Sequence, residues 1–179
     1  NGGFIVRGRK IWTSKALESE VCLLLARTDD PDPDDPRRRF DGLSLFVVDL
    51  DPEYCDIAPI PKLGRNAVAS CEVAYDDLPV EGWRLVGERG RGFQQILHGL
   101  NPERILLAAM ACGIGEVALR RAVGYANERI VFDRPIGQNQ GLAFPLADSL
   151  ARLDAAELVL RKATWLYDNG RSCGREANM

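Results

Sequence analysis

The hydrophobic pattern changes period once, near Gly87, and this change restricts the possible folds more than any other feature. Before it, the β-rich runs at 4–6, 21–26, 43–50 and 70–75 are short. They are separated by the turn residues Gly8, Asp41-Gly42, Asp51-Pro52, Gly64 and Asp76-Asp77. Short strands at this spacing predict an antiparallel barrel or sandwich. The run 21–26 is almost wholly apolar and reads as buried on both faces. The stretch 29–39 is rich in Asp, Pro and Arg, which predicts a mobile hairpin loop. Beyond the seam at 88–92, a helical stretch runs from about 93 to 129, with a kink or restart expected at Pro102. A second helix is expected after Pro145. Its stripe of Leu146, Leu150, Leu153, Ala156, Leu160, Ala163 and Tyr167 advances in steps that keep one face. Two long helices in succession predict an antiparallel pair within a larger bundle. The fold class is therefore α+β: an antiparallel β-barrel or sandwich domain over 1–87, then the start of an antiparallel helical bundle over 88–179.

Composition narrows the function classes. With 46% hydrophobic and 27% charged residues and a net charge of -3, the chain reads as globular and lacks the basic balance of a nucleic-acid binder. The run Arg37-Arg38-Arg39 follows acidic residues between 29 and 35 and reads as a solvated loop. The five cysteines are odd in number and none has CxxC spacing, which argues against a metal site or a disulfide framework. Reduced thiols predict a cytoplasmic location, or the mitochondrial matrix in a eukaryote. No apolar run approaches the ~18 residues of a membrane span. Asn1-Gly2-Gly3-Phe4 starts on a turn and 175–179 has helix-like composition, so both ends read as interior to a longer chain.

Three segments carry candidate chemistry. Trp12-Thr13-Ser14 follows a strand. These residues could set a flat ring and two hydroxyls against a flat cofactor, but locally they favour a core tryptophan beside turn-forming hydroxyls. Residues 128–140 gather Arg129, Arg134 and polar groups around a turn fixed by Pro135 and Gly137. The guanidinium groups suit a diphosphate, but locally they favour a helix C-terminus, where cations suit the dipole. Asn101-Pro102-Glu103 reads locally as a helix start, with Asn101 as N-cap and Glu103 favoured by the dipole. His98 reads as structural, and Gly90-Arg91-Gly92 is too short for a phosphate loop.

Taken in order, these segments resemble one family. Trp12-Thr13-Ser14, Lys62-Leu63-Gly64 and residues 73–80 look like the middle β-domain of acyl-CoA dehydrogenases. Residues 85–88 with Gly90 to Phe93 resemble that family's passage into its last helical domain. The block Arg129, Phe132, Arg134-Pro135-Ile136-Gly137 and Gln140 is the most specific match. Asp133 departs from it, standing where the family usually has glycine.

The resemblance implies FAD as cofactor, with Trp12, Thr13 and Ser14 along the flavin ring and Ser14 nearest its reactive nitrogen. It implies that Arg129, Phe132 and Gln140 reach the cofactor of a neighbouring subunit in a homotetramer or homodimer. The implied reaction removes a proton from Cα of an acyl-CoA and passes a hydride from Cβ to flavin, with electron-transfer flavoprotein as acceptor. Glu103 matches the base position of a minority of members, with Asn101 and Arg104 beside the substrate; most members place the base later. The alternatives are a flavin oxidase or monooxygenase of the same fold, and a non-catalytic piece serving assembly or ligand binding. The family's N-terminal helical domain and final helices are expected outside this sequence, so the 179 residues by themselves are expected to bind flavin poorly and to be inactive.

Overall fold

The computed structural model describes residues 2–31, 33–35 and 38–179. Asn1, Asp32, Pro36 and Arg37, which belong to the expected N-terminal turn and acidic–basic loop, lie outside the described residues. The chain forms two compact units, Asn1–Leu97 and His98–Met179.

The first unit contains β1 (Phe4–Ser14), β2 (Val21–Arg27), β3 (Leu43–Asp49), β4 (Cys55–Pro59), β5 (Ser70–Val80) and β6 (Leu85–Val86). They form two three-stranded antiparallel sheets ordered β1-β5-β4 and β2-β3-β6. Leu24, Phe46 and Val48 of one sheet meet Cys71, Val73 and Tyr75 of the other in a single core. The result is an open sandwich, one of the two expected forms. The Tyr75 hydroxyl lies 3.3 Å from Cys22 Sγ across this core, and burial raises the pKa of both groups, keeping them neutral.

One bulge, with Gly8 on one strand opposite Asp76-Asp77 on the other, carries both strands beyond the expected runs. Gly8 lies inside β1, and Asp76-Asp77 lie inside β5. Between the pairs Val6–Leu78 and Gly8–Tyr75, β5 carries one extra residue, with Asp77 at φ 52°. The buried positions on β5 accordingly switch from Cys71, Val73 and Tyr75 to Leu78 and Val80. β4 escaped the sequence pattern because Asp56 and Pro59 are poor strand residues; Pro59 is tolerated on this edge strand. The expectation that 21–26 is buried on both faces is overturned: Leu24 is buried, but Val21 and Leu23 are 48% and 54% exposed. Only the sheet face toward the core is covered along those positions.

The seam into the helical part is held by hydrogen bonds. Ser44 is fully buried, its hydroxyl 2.8 Å from Thr28 Oγ1 and accepting from Gly90 N at 2.7 Å. Arg89 donates to both oxygens of Asp29 at 3.0 and 2.7 Å and to Thr28 O at 3.1 Å. Gly42, at φ 79°, has its Cα side against Asp29 O, and a Cβ on Gly92 would lie 2.5 Å from Leu45 N. Backbone packing therefore excludes side chains at both positions. The base of the expected mobile loop is thus pinned, and Arg27 adds bonds to Asp41 O and Arg39 O at 3.0 Å.

The second unit contains most of α1 (Gly92–Glu128), then β7 (Ile130–Val131), β8 (Arg134–Pro135), α2 (Gln140–Asp168) and α3 (Gly174–Ala177). α1 runs through Pro102 without restarting, and α2 starts before Pro145, which it contains. Ile105 packs with Ala163 and Leu166, whereas Gly115 faces Leu153, so α1 and α2 are antiparallel. Leu146, Leu153, Leu160 and Ala163 follow the expected stripe. Leu150 and Tyr167 do not: they are 51% and 47% exposed, and Leu166 is buried in place of Tyr167. No helix among the described residues is long and apolar enough to cross a membrane.

Ser44→Ala in the full-length protein is expected to cost about 1–3 kcal/mol in denaturant unfolding, because it leaves the Gly90 N–H without an acceptor. Arg89 holds the Asp29 carboxyl below its ordinary value of 3.8. Its stabilising contribution is therefore present above that value and lost as pH falls through the depressed one. Asp29→Asn is expected to flatten the acid limb of stability against pH; an unchanged limb would contradict this.

Candidate functional site

Trp12-Thr13-Ser14 occupies the last turn of pleat in edge strand β1. Between Lys10–Val73 and Thr13–Cys71, β1 advances three residues while β5 retreats two, which makes Trp12 part of a bulge. Trp12 sits at φ 69° and is 65% exposed, so the local reading as a core tryptophan is overturned. Thr13 pairs with core residue Cys71 and is half-buried, whereas Ser14 pairs with Ser70 and is exposed. An indole face and a hydroxyl are thereby offered side by side to a planar ligand.

Behind this edge, Lys62 Nζ donates to Arg65 O at 3.1 Å, to Val68 O, and to Ser70 Oγ at 3.1 Å. Lys62 entered the sequence reading only as part of a motif. A lysine facing two backbone acceptors cannot be read from sequence before the loop path is known.

Asn101, Glu103 and Arg104 lie inside α1, well beyond its start at Gly92. The helix-start account of these residues is therefore overturned, and Asn101 is not an N-cap. Asn101 Oδ1 instead accepts from Arg104 Nη1 at 3.1 Å. Arg104 lines a cleft of about 420 Å3 between α1 and α2, with Ile105, Ala108, Val159 and Leu160. Glu103 is exposed and has no hydrogen-bond or ion-pair partner among the described residues.

Arg129, Phe132 and Gln140 surround the β7–β8 hairpin. Its two central residues, Phe132 and Asp133, have φ of 52° and 61°, as a type I′ turn requires. Phe132 is 94% exposed at the tip, Arg129 is exposed after the last residue of α1, and Gln140 opens α2. Arg134 donates to Asn139 Oδ1 at 2.6 Å, and both Arg129 and Arg134 are exposed. The departure at Asp133 falls on a left-handed position where glycine is easiest. Asp133→Gly is expected to stabilise the protein by up to about 1 kcal/mol in thermal or denaturant unfolding. A destabilised variant would show that the Asp133 side chain contributes more than its backbone costs.

Comparison with known proteins fits this geometry. Residues 90–179 match the acyl-CoA dehydrogenase C-terminal domain, and residues 1–78 match the acyl-CoA dehydrogenase middle domain. An acyl-CoA dehydrogenase of Bacillus subtilis is 36% identical over 180 residues, covering 100% of this chain and 46% of the relative. Butyryl-CoA dehydrogenase from Megasphaera elsdenii superposes with TM-score 0.79 at 26% identity, over 98% of this chain and 44% of that one. The FAD complex of PigA superposes with TM-score 0.84 at 26% identity, over 98% and 45%. An open β-sandwich leading into an antiparallel helix pair is thus the architecture of a known class of flavoprotein oxidoreductase. The chain belongs to the acyl-CoA dehydrogenase family. It spans about half the length of the curated relatives it matches.

Proposed function

We propose that the full-length protein is an FAD-dependent dehydrogenase that introduces a Cα–Cβ double bond into an acyl-CoA thioester. The observation that carries this reading is the bulge at Trp12, which turns an indole outward beside the Ser14 hydroxyl. An exposed indole costs solvation that a flat ring would recover, and a hydroxyl can donate to a ring heteroatom. FAD, when bound, supplies the acceptor for the hydride leaving Cβ. The chain's own residues do the rest. Trp12 and Thr13 support the ring, and Ser14 fixes its orientation. Arg129, Phe132 and Gln140 serve the cofactor of a neighbouring subunit in a homotetramer or homodimer. Electron-transfer flavoprotein is the electron acceptor.

Glu103 is the base that takes the proton from Cα. Its carboxylate is exposed and has no ion-pair partner among the described residues, so a substrate can reach it without breaking one of their ion pairs. Asn101 and Arg104, bonded to each other, keep that helical turn ordered and flank the thioester. Glu103→Gln in the full-length protein is expected to slow anaerobic flavin reduction by acyl-CoA by about 10²–10⁴-fold, with flavin content unchanged. An unchanged rate would place the base elsewhere. A flavin-loaded wild type that no acyl-CoA bleaches would remove the dehydrogenase reading itself.

A further inference from the structure

We infer that Lys62 is a positioning residue for the flavin-facing edge, acting through Ser70 on Ser14. This rests on the flavin reading of Trp12-Thr13-Ser14.

The middle of the loop between β4 and β5 buries little, with one backbone bond of its own, from Val68 N to Arg65 O at 3.2 Å. Leu63 points fully into solvent, Val68 is 39% exposed, and Arg65 is in a left-handed conformation. An ammonium has three hydrogens, and Lys62 directs them at Arg65 O, Val68 O and Ser70 Oγ. The loop is therefore folded around one cation.

The end of this loop carries the candidate edge. Lys15 N donates to Ala69 O at 3.0 Å, immediately after Ser14. Ile60 N donates to Ser70 O at 2.8 Å on the other side. Ser70 is the register partner of Ser14, so their side chains share one face, with Cβ atoms about 4.5–5.5 Å apart. Ser70 Oγ accepts from Lys62 and keeps its own hydrogen to donate. Lys62, Ser70 and Ser14 thus form a polar row behind the residue assigned to the ring. The half-buried cation polarises the Ser70 hydroxyl, and the β1–β5 pairing carries the position of Ser70 to Ser14.

A lysine that only staples a loop would affect stability and leave a bound flavin unaltered. The test uses full-length wild type, Lys62→Met, Ser70→Ala and the double variant. Flavin dissociation constants, visible flavin absorbance and circular dichroism, and unfolding midpoints are measured for each. Each single variant is expected to weaken flavin binding about tenfold and to change the flavin spectrum, because a charge-assisted hydrogen bond is lost. The double variant is expected to be no worse than either single, since the two residues act in series. Flavin affinity and spectrum unchanged in Ser70→Ala, or strictly additive losses, overturn the inference even where Lys62→Met fails to fold. A wild type that binds no flavin overturns the parent reading and this inference together.

Discussion

Ser44 Oγ is buried between Thr28 Oγ1 and the Gly90 N–H, at 2.8 and 2.7 Å. Through these two contacts the start of β3 holds the chain just before α1 begins. Arg89 reinforces the hold by chelating Asp29, and Gly42 and Gly92 let the backbones come close enough for it. A buried hydroxyl with one partner removed incurs the desolvation penalty of the group left behind. The entry point of α1 at Gly92 is therefore set by polar satisfaction around Ser44.

The change of period near Gly87 was legible because strands and helices bury side chains at different intervals. The sandwich core and the antiparallel helices followed from it. Bulges were not legible. Gly8 and Asp76-Asp77 carry turn chemistry, and nothing local distinguishes a turn that reverses the chain from an irregularity inside a longer strand. The same ambiguity hid the orientation of Trp12. Strict alternation with Lys10 facing the core would also send Trp12 inward; one inserted residue sends it out.

In the helical unit the spacing of leucines and alanines gave the direction of the contact face but not where it ends. Leu166 is buried in place of Tyr167 because it packs with Ile105, Ala163 and Cys173, a residue that follows α2 and that the stripe does not contain. The prolines misled in the opposite way. Pro102 and Pro145 lie inside α1 and α2, although an interior proline costs about 3 kcal/mol or more. Asn101-Pro102-Glu103 has good helix-start chemistry and does not start a helix. Local propensity therefore does not explain Glu103, an exposed carboxylate without a partner among the described residues.

Backbone strain supplies a separate line toward the same residues. Six described residues other than glycine have positive φ: Trp12, Lys15, Arg65, Asp77, Phe132 and Asp133. Each costs of the order of 1–3 kcal/mol unless the surroundings compensate. Trp12 and Lys15 bracket Thr13-Ser14, Phe132 and Asp133 form the hairpin tip beside Arg129, and Arg65 lies in the loop gathered by Lys62. Asp77 alone is set apart, in the β5 bulge. A sandwich needs none of the other five for its core, since none is buried. Under the proposed function, their strain falls at the edges that would face the cofactor, where it fixes an outward presentation of aromatic and polar groups that relaxed pleating would not provide.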